Sequence, residues 1–350
     1  MHSRREFIQN MITTALLTSV VGGSVALAQS SSSVSGHIRP KRLKSGQLIG
    51  LIAPSSNVME NEDIAFAVDI LKSFGFRVKK GKYLYDRNGY LAGQDKDRAS
   101  DVNAMFADNT VDAIICLRGG YGSPRILPYL DYDLIKKNPK VIMGFSDVTA
   151  LLNAIFFKTG LITFHGPVAS QNFSEYTLSE FKKVLFNGEK SLIAAPPPFE
   201  VTEGKAEKDN RITVINHGKA TGELIGGNLS LMVKLVDTPY EPSYQGKILF
   251  LEDVSEAPYR VDGMLAHLKL SGRLAQVAGI VFGKCTRCRS SGNTLSLEQV
   301  LFDHIKPLGI PATRGLMIGH IKDNATIPIG ALAELDTSIN GLRLLEPSVI

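Results

Sequence analysis

An α/β protein built on a parallel sheet is the predicted fold, and three observations lead to it. From Leu48 onward, short apolar runs alternate with amphipathic segments, as repeated βαβ units require. A chain of 350 residues exceeds one small core and suggests two domains, at roughly 150 residues each. Hydrophobic residues at 44% and charged ones at 21% match ordinary soluble usage, which excludes a disordered, collagenous or coiled-coil protein.

The elements follow in order. Leu48–Ala53 reads as the first strand. Asp63–Phe74 carries Ile64, Val68 and Leu71 at helical spacing and stops at Gly75, a residue suited to the left-handed end of a helix. Asp95–Phe106 is a helix, Ala113–Leu117 and Val141–Met143 are strands, Thr149–Lys158 is a helix and Leu161–Phe164 a strand. Ala195-Pro196-Pro197-Pro198 opens a polar stretch to Asn210 that reads as a linker, dividing an N-terminal domain (46–194) from a C-terminal one (211–350). Beyond it, strands are predicted at Ile212–Ile215, Lys247–Leu251, Ala278–Phe282 and Leu342–Leu345, and helices near Leu229–Leu235, Arg260–Leu268 and Leu297–Ile305.

The N-terminus reads as an address. Ser3-Arg4-Arg5-Glu6-Phe7-Ile8 precedes an uncharged stretch from Met11 to Leu27, and Ala26-Leu27-Ala28 offers small residues of the kind signal peptidase reads. The threonines, serines and glycines of that stretch suit an export segment better than a permanent span. A twin-arginine-type signal over 1–28 is therefore expected, with delivery to the periplasm and no stable membrane insertion after its removal. Residues 29–45, serine-rich at the start, are expected to form a flexible leader. Net charge is +5, and no basic stripe interleaved with aromatics appears, so nucleic acid is not an expected partner. Three cysteines cannot supply a disulfide framework for a chain this long.

In an open parallel sheet, ligands bind beyond the carboxyl ends of the strands. The unusual polar clusters fall at those ends: Pro54-Ser55-Ser56, Arg118-Gly119-Gly120-Tyr121-Gly122, Gly144-Phe145-Ser146-Asp147 and His165-Gly166-Pro167. Ser146 is squeezed between a strand and a helix as in a nucleophile elbow, although Val148 stands where the usual pattern has a small residue. The plainer alternative is that Ser146 or Asp147 caps the following helix. A reactive serine needs a base and an orienting acid. Glu252 at the tip of an apolar strand and His320 in a late loop are the candidates, with His165 competing as base and Asp253 as orienter. Adjacent glycines 119 and 120 let backbone N–H groups approach a substrate, as an oxyanion hole requires, whereas no phosphate-binding pattern is present. Cys285-Thr286-Arg287-Cys288 suits a short disulfide or two free thiols better than a zinc site, since no second ligand pair follows; a redox role is the rarer alternative. Cys116 reads as a core thiol.

Taken together, Arg118–Gly122, Gly144–Asp147, His165–Pro167, Gly226-Gly227-Asn228-Leu229, Leu251-Glu252-Asp253 and Gly319-His320 with Asn324 and Pro328 resemble the LD-carboxypeptidase family of serine peptidases, which includes microcin C immunity peptidases. The resemblance implies a flavodoxin-like N-terminal domain, a β-rich α/β C-terminal domain, a groove between them and, commonly, a homodimer. It implies Ser146 as nucleophile, His320 as base and Glu252 as orienter, with the N–H groups of Asp147 and Gly120 as oxyanion hole. Arg118 and Asn228 are expected to touch substrate. The expected activity is metal-free and cofactor-free release of terminal D-Ala from murein tetrapeptides. Hydrolysis of other amide-linked compounds, such as peptidyl-nucleotides, and a periplasmic binding protein without a nucleophile are the alternatives.

Overall fold

A computed structural model describes residues 36–350, so the export signal expected over 1–28 lies outside the described residues. The first sheet takes its parallel strands from β1 (Leu48–Ile52), β2 (Arg77–Lys80), β3 (Ala113–Cys116), β4 (Val141–Gly144) and β5 (Thr163–His165). Their order, β2-β1-β3-β4-β5, is the flavodoxin-like one, which places a topological switch between β1 and β3. Crossovers run through α1 (Asn61–Ser73), α2 (Asp95–Ala107), α3 (Ser123–Ile126), α4 (Tyr132–Lys137) and α5 (Thr149–Thr159). β1, β3 and β4 are buried almost throughout, as strands covered by helices on both faces must be. The edge strand β2 carries no apolar pattern that would predict it. Arg77-Val78-Lys79-Lys80 has a single apolar residue, and it is held by its neighbour rather than by its own burial.

The chain continues through α6 (Glu175–Lys182), β6 (Leu192–Ile193), β7 (Thr213–Asn216), β8 (Lys219–Asn228), α7 (Leu229–Leu235), β9 (Ile248–Val254), α8 (Pro258–Leu270), β10 (Gly279–Thr286), α9 (Leu297–Ile305), β11 (Ala312–Arg314), β12 (Ile327–Ile329), β13 (Leu332–Asp336) and β14 (Leu342–Leu344). The second sheet has the order β6-β14-β13-β8-β9-β10-β11-β7, with β8 to β11 parallel and the flanks antiparallel. β12 leaves this sheet and adds antiparallel to β5, with Ile327 opposite His165, while β6 pairs with β14. Each half of the sequence thus lends a strand to the other's sheet, and residues 36–350 pack within one compact unit.

β8 is absent from the predicted strands because Gly222, Gly226 and Gly227 dilute its apolar pattern, yet those glycines are what the packing needs. Helix α5, buried along nearly its whole length, lies directly against β8. Asn153 Nδ2 donates to Gly226 O at 2.8 Å, Gly226 N–H donates back to Asn153 Oδ1 at 3.3 Å, and Asn228 N–H donates to Thr149 Oγ1 at 3.0 Å. A Cβ on Gly227, whose φ is 128°, would stand 2.6 Å from Thr149 Oγ1 and 3.0 Å from His165 Nδ1. No side chain fits there.

The leader expected over 29–45 is corrected over its later part. Ile38 bridges to Leu161, Leu43 is 1% exposed, Arg42 N–H donates to Ile350 O at 2.9 Å, and Arg39 pairs with Glu346 at 2.5 Å. Apolar Ile38 and Leu43 find covered sites on the fold, which offsets the entropy of ordering the segment. Among the described residues, no helix is long and apolar enough to cross a membrane.

Candidate active site

Three turns, those that follow β1, β3 and β4, build one wall of a cleft. β4 ends at Gly144, Phe145 is extended, and Ser146 turns the chain with φ of 62° before a single 3-10 turn leads into α5. A left-handed serine is uncommon and persists where packing dictates it. Gly144 is needed beneath it, because a Cβ there would stand 2.9 Å from Val148 Cγ1. Val148, the departure from the elbow pattern, therefore fills the space that the glycine leaves. Neither Ser146 nor Asp147 caps α5. Asp147 is 2% exposed and its Oδ2 accepts from Ser123 N–H at 2.7 Å, with Ser123 Oγ donating to Asp147 O, so its carboxylate serves the start of α3. What Asp147 can offer the cleft is its backbone N–H, which as a first-turn group has no partner within the helix.

The β3 turn closes on the same point. A methyl on Gly119 would stand 2.9 Å from Ser146 Cβ and 3.2 Å from Ser146 Oγ. Gly120 has φ of 115°, a backbone that favours glycine. Ser56, from the β1 turn, ties this loop down: its N–H donates to Gly119 O at 3.3 Å and its Oγ accepts from Tyr121 N–H at 2.9 Å. The sequence signals Ser56 only as a polar residue at a strand end; its anchoring role comes from the pairing of β1 with β3.

The facing wall comes from the second sheet. Glu252, near the end of β9, is fully buried, and its Oε2 accepts from His320 Nδ1 at 2.7 Å while its Oε1 accepts from Asn228 Nδ2 at 3.2 Å. That contact assigns the Nδ1–H tautomer and leaves His320 Nε2 as a lone-pair base. The ring of Phe145 lies 4.8 Å from that of His320. The His320 loop is pinned by Gly319 N–H donating to Asn324 Oδ1 at 3.0 Å and by Asn324 N–H donating to Thr177 Oγ1 at 3.0 Å.

The competitors fall away on geometry. Asp253 accepts from Ser230 N–H at 3.0 Å, Ser230 Oγ at 2.8 Å and Asn228 Nδ2 at 3.1 Å, and does not meet the imidazole. His165 is fully buried between Phe145 and Phe250, and burial, with His320 nearby adding, holds its pKa down to about 3. Asn228, expected to touch substrate, stands at the end of β8 beside the carboxylate that holds His320. It is 3% exposed, and its Nδ2 donates to Glu252 and Asp253, because the register of β8 on β9 sets Asn228 opposite Glu252.

Ser146 and His320 line one cavity of about 490 Å³ together with Arg118, Gly119, Gly120 and Tyr121. Among the described residues, Ser146 and His320 are not directly hydrogen-bonded; such contacts often tighten only when substrate is bound. Arg118 Nη1 donates to Asn57 O at 3.0 Å, and no described carboxylate pairs with it. Cys285 and Cys288 form a disulfide, and Cys116 is a buried free thiol pushed up by burial. Among the described residues, no group of three or more His, Cys, Asp or Glu is placed to hold a metal ion.

This arrangement has counterparts. Residues 49–166 match the LD-carboxypeptidase N-terminal domain, and residues 221–335 match the LD-carboxypeptidase C-terminal domain. The chain is 41% identical over 304 residues to the probable murein peptide carboxypeptidase of Bacillus subtilis, covering 86% of this chain and 92% of that one. It is 31% identical over 303 residues to the murein tetrapeptide carboxypeptidase of Pseudomonas aeruginosa, covering 82% and 92%. Among solved structures, the apo microcin C7 self-immunity protein MccF superposes with a TM-score of 0.81 at 28% identity, covering 89% of this chain and 100% of that one. The muramoyltetrapeptide carboxypeptidase of Oxalobacter formigenes superposes at 0.71 and 30% identity, covering 85% and 98%. The chain belongs to the LD-carboxypeptidase family and is a hydrolase, a serine-type carboxypeptidase.

Proposed function

We propose that this carboxypeptidase is exported and hydrolyses the L,D-amide bond that releases terminal D-Ala from murein tetrapeptides, using Ser146, His320 and Glu252. One observation carries the reading: a left-handed serine and a histidine held by Glu252 at 2.7 Å line one cavity together. In this scheme His320 Nε2 takes the proton as Ser146 Oγ attacks the scissile carbonyl. The N–H groups of Asp147 and Gly120 bind the oxyanion, and the proton passes to the departing amine as the acyl-enzyme forms. Water, activated by the same imidazole, then frees the acyl peptide and restores Ser146. Glu252 holds the imidazole's tautomer and stabilises its charged form. Names of relatives support murein as substrate.

Mass spectrometry of defined tri-, tetra- and pentapeptide stems after incubation with residues 29–350 tests the proposal. Release of D-Ala from the tetrapeptide is expected, and Ser146→Ala should fold normally with kcat lowered about 10⁴-fold or more. Retained turnover by that variant ends the assignment. The close superposition on MccF favours one rival substrate, an amino acid amide-linked to a nucleotide-like group, and the same assay with an aspartyl sulfamoyl adenosine separates the two.

Export rests on Ser3–Ile8 and Ala26-Leu27-Ala28, and the Cys285–Cys288 disulfide suits an oxidising compartment. N-terminal sequencing of periplasmic material should begin at Gln29. Homodimerisation comes from the family resemblance, and sedimentation of the mature chain checks it.

A further inference from the structure

Past His320 the cleft opens into a second cavity of about 340 Å³, which shares His320 and Gln171 with the first. Two cations line it, Arg287 and Lys322, and among the described residues neither is in an ion pair.

Arg287 is held there by an unusual turn. Cys288 N–H donates to Cys285 O at 3.2 Å, the two Cα atoms are 5.4 Å apart, and the disulfide joins their side chains. As third residue of this turn, Arg287 has φ of 59°, a conformation that turns of this kind usually give to glycine or asparagine. An arginine there acts against its own backbone preference, and the covalent bridge supplies a constraint that removes open forms of the turn. Ser255 completes the support: its N–H donates to Thr286 O at 2.8 Å, and its Oγ accepts from Arg287 Nε at 3.0 Å. Both terminal nitrogens of the guanidinium are left for a ligand.

In acyl transfer from a serine nucleophile, the base delivers its proton to the leaving amine, so the departing residue sits beside the imidazole on the side away from the nucleophile. For a carboxypeptidase, that residue carries a free carboxylate. Resting on the substrate reading above, we propose that Arg287 binds the carboxylate of the departing residue and that the Cys285–Cys288 bridge is the device that positions it. The free edge of a guanidinium matches two carboxylate oxygens at once, and Lys322 strengthens the local positive field. Arg118, on the Gly119-Gly120 side of the imidazole, then faces the acyl portion.

The test compares initial rates on two tetrapeptide stems, one ending in free D-Ala and one in D-alaninamide. Wild type should prefer the free acid. Arg287→Ala should raise KM for the acid about 10- to 100-fold, leave kcat near wild type and leave the amide unaffected, with Arg287→Lys recovering part of the loss. The Cys285→Ser/Cys288→Ser double variant should repeat the KM rise on the acid alone. The clamp assignment is overturned if Arg287→Ala keeps the full preference, if it weakens both substrates alike, or if Arg118→Ala abolishes the preference in its place. An unchanged preference in the double-serine variant removes the bridge's positioning role. Should wild type release nothing from either stem, the substrate reading itself has failed and the clamp falls with it.

Discussion

Glu252 is a carboxylate with no exposure to water, a costly placement unless its oxygens are matched by donors. His320 and Asn228 supply those donors, one to each oxygen. Its negative charge opposes the positive charge that develops on the imidazole during attack. Glu252→Gln should therefore keep the fold and most of the local contacts while lowering kcat about 10²- to 10⁴-fold, read by D-Ala release alongside circular dichroism. Near-wild-type rates would remove Glu252 from the mechanism. At this scale, Ser146, His320 and Glu252 could be picked out in the sequence because each sits at or beyond a strand end, where the chain must turn and polar atoms are exposed. The support given by Asn228 could not, since an amide's partners depend on which strand lies alongside.

The distance between the two walls of the cleft is governed by one pair of elements, α5 and β8. Ser146 opens the 3-10 turn that leads into α5, and Asn228, which holds Glu252, ends β8. Three hydrogen bonds from Asn153 and Thr149 clasp the helix to the strand, and Gly227 lets them approach. Gly227→Ala would force the elements apart and place a side chain on a left-handed backbone. Chemical denaturation should show a loss of about 3 kcal/mol, and kcat should fall with it as Ser146 and His320 separate. Full stability in this variant would show that the contact gives way without moving the helix. The boundaries of α7 and α9 were legible from apolar spacing alone, whereas β8 was hidden because its glycines answer to a helix far away in the chain.

Across the molecule, the buried face between the two sheets contributes to the response to acid. His165 contributes to it, packed between Phe145 from the first sheet and Phe250 from the second, with neither ring nitrogen bonded among the described residues. Its pKa of about 3 in the fold compares with roughly 6.5 for a solvated histidine. Between those values the unfolded chain binds a proton that the folded chain refuses. Stability is therefore full above pH 6.5 and declines as pH falls, by about 2 kcal/mol at pH 5 from this group. Denaturation at pH 7, 6 and 5 should show that slope, and His165→Leu should flatten it. An unaltered slope in the variant would assign the acid response elsewhere.

Hydrophobic periodicity and the chemistry of strand ends are local properties, carried by neighbouring residues. They were enough to determine an α/β fold, most of its helices and the polar residues able to act. The rest rests on contacts between distant parts of the chain. His320 meets Glu252 across 68 positions, and Asn153 meets Gly226 across 73. Docking of residues 38–43, exchange of β6 and β12 between the halves, and the bonds of Asn228 to Glu252 and Asp253 are of the same kind. Each depends on strand register and on burial summed over the whole core, so folding alone decides it.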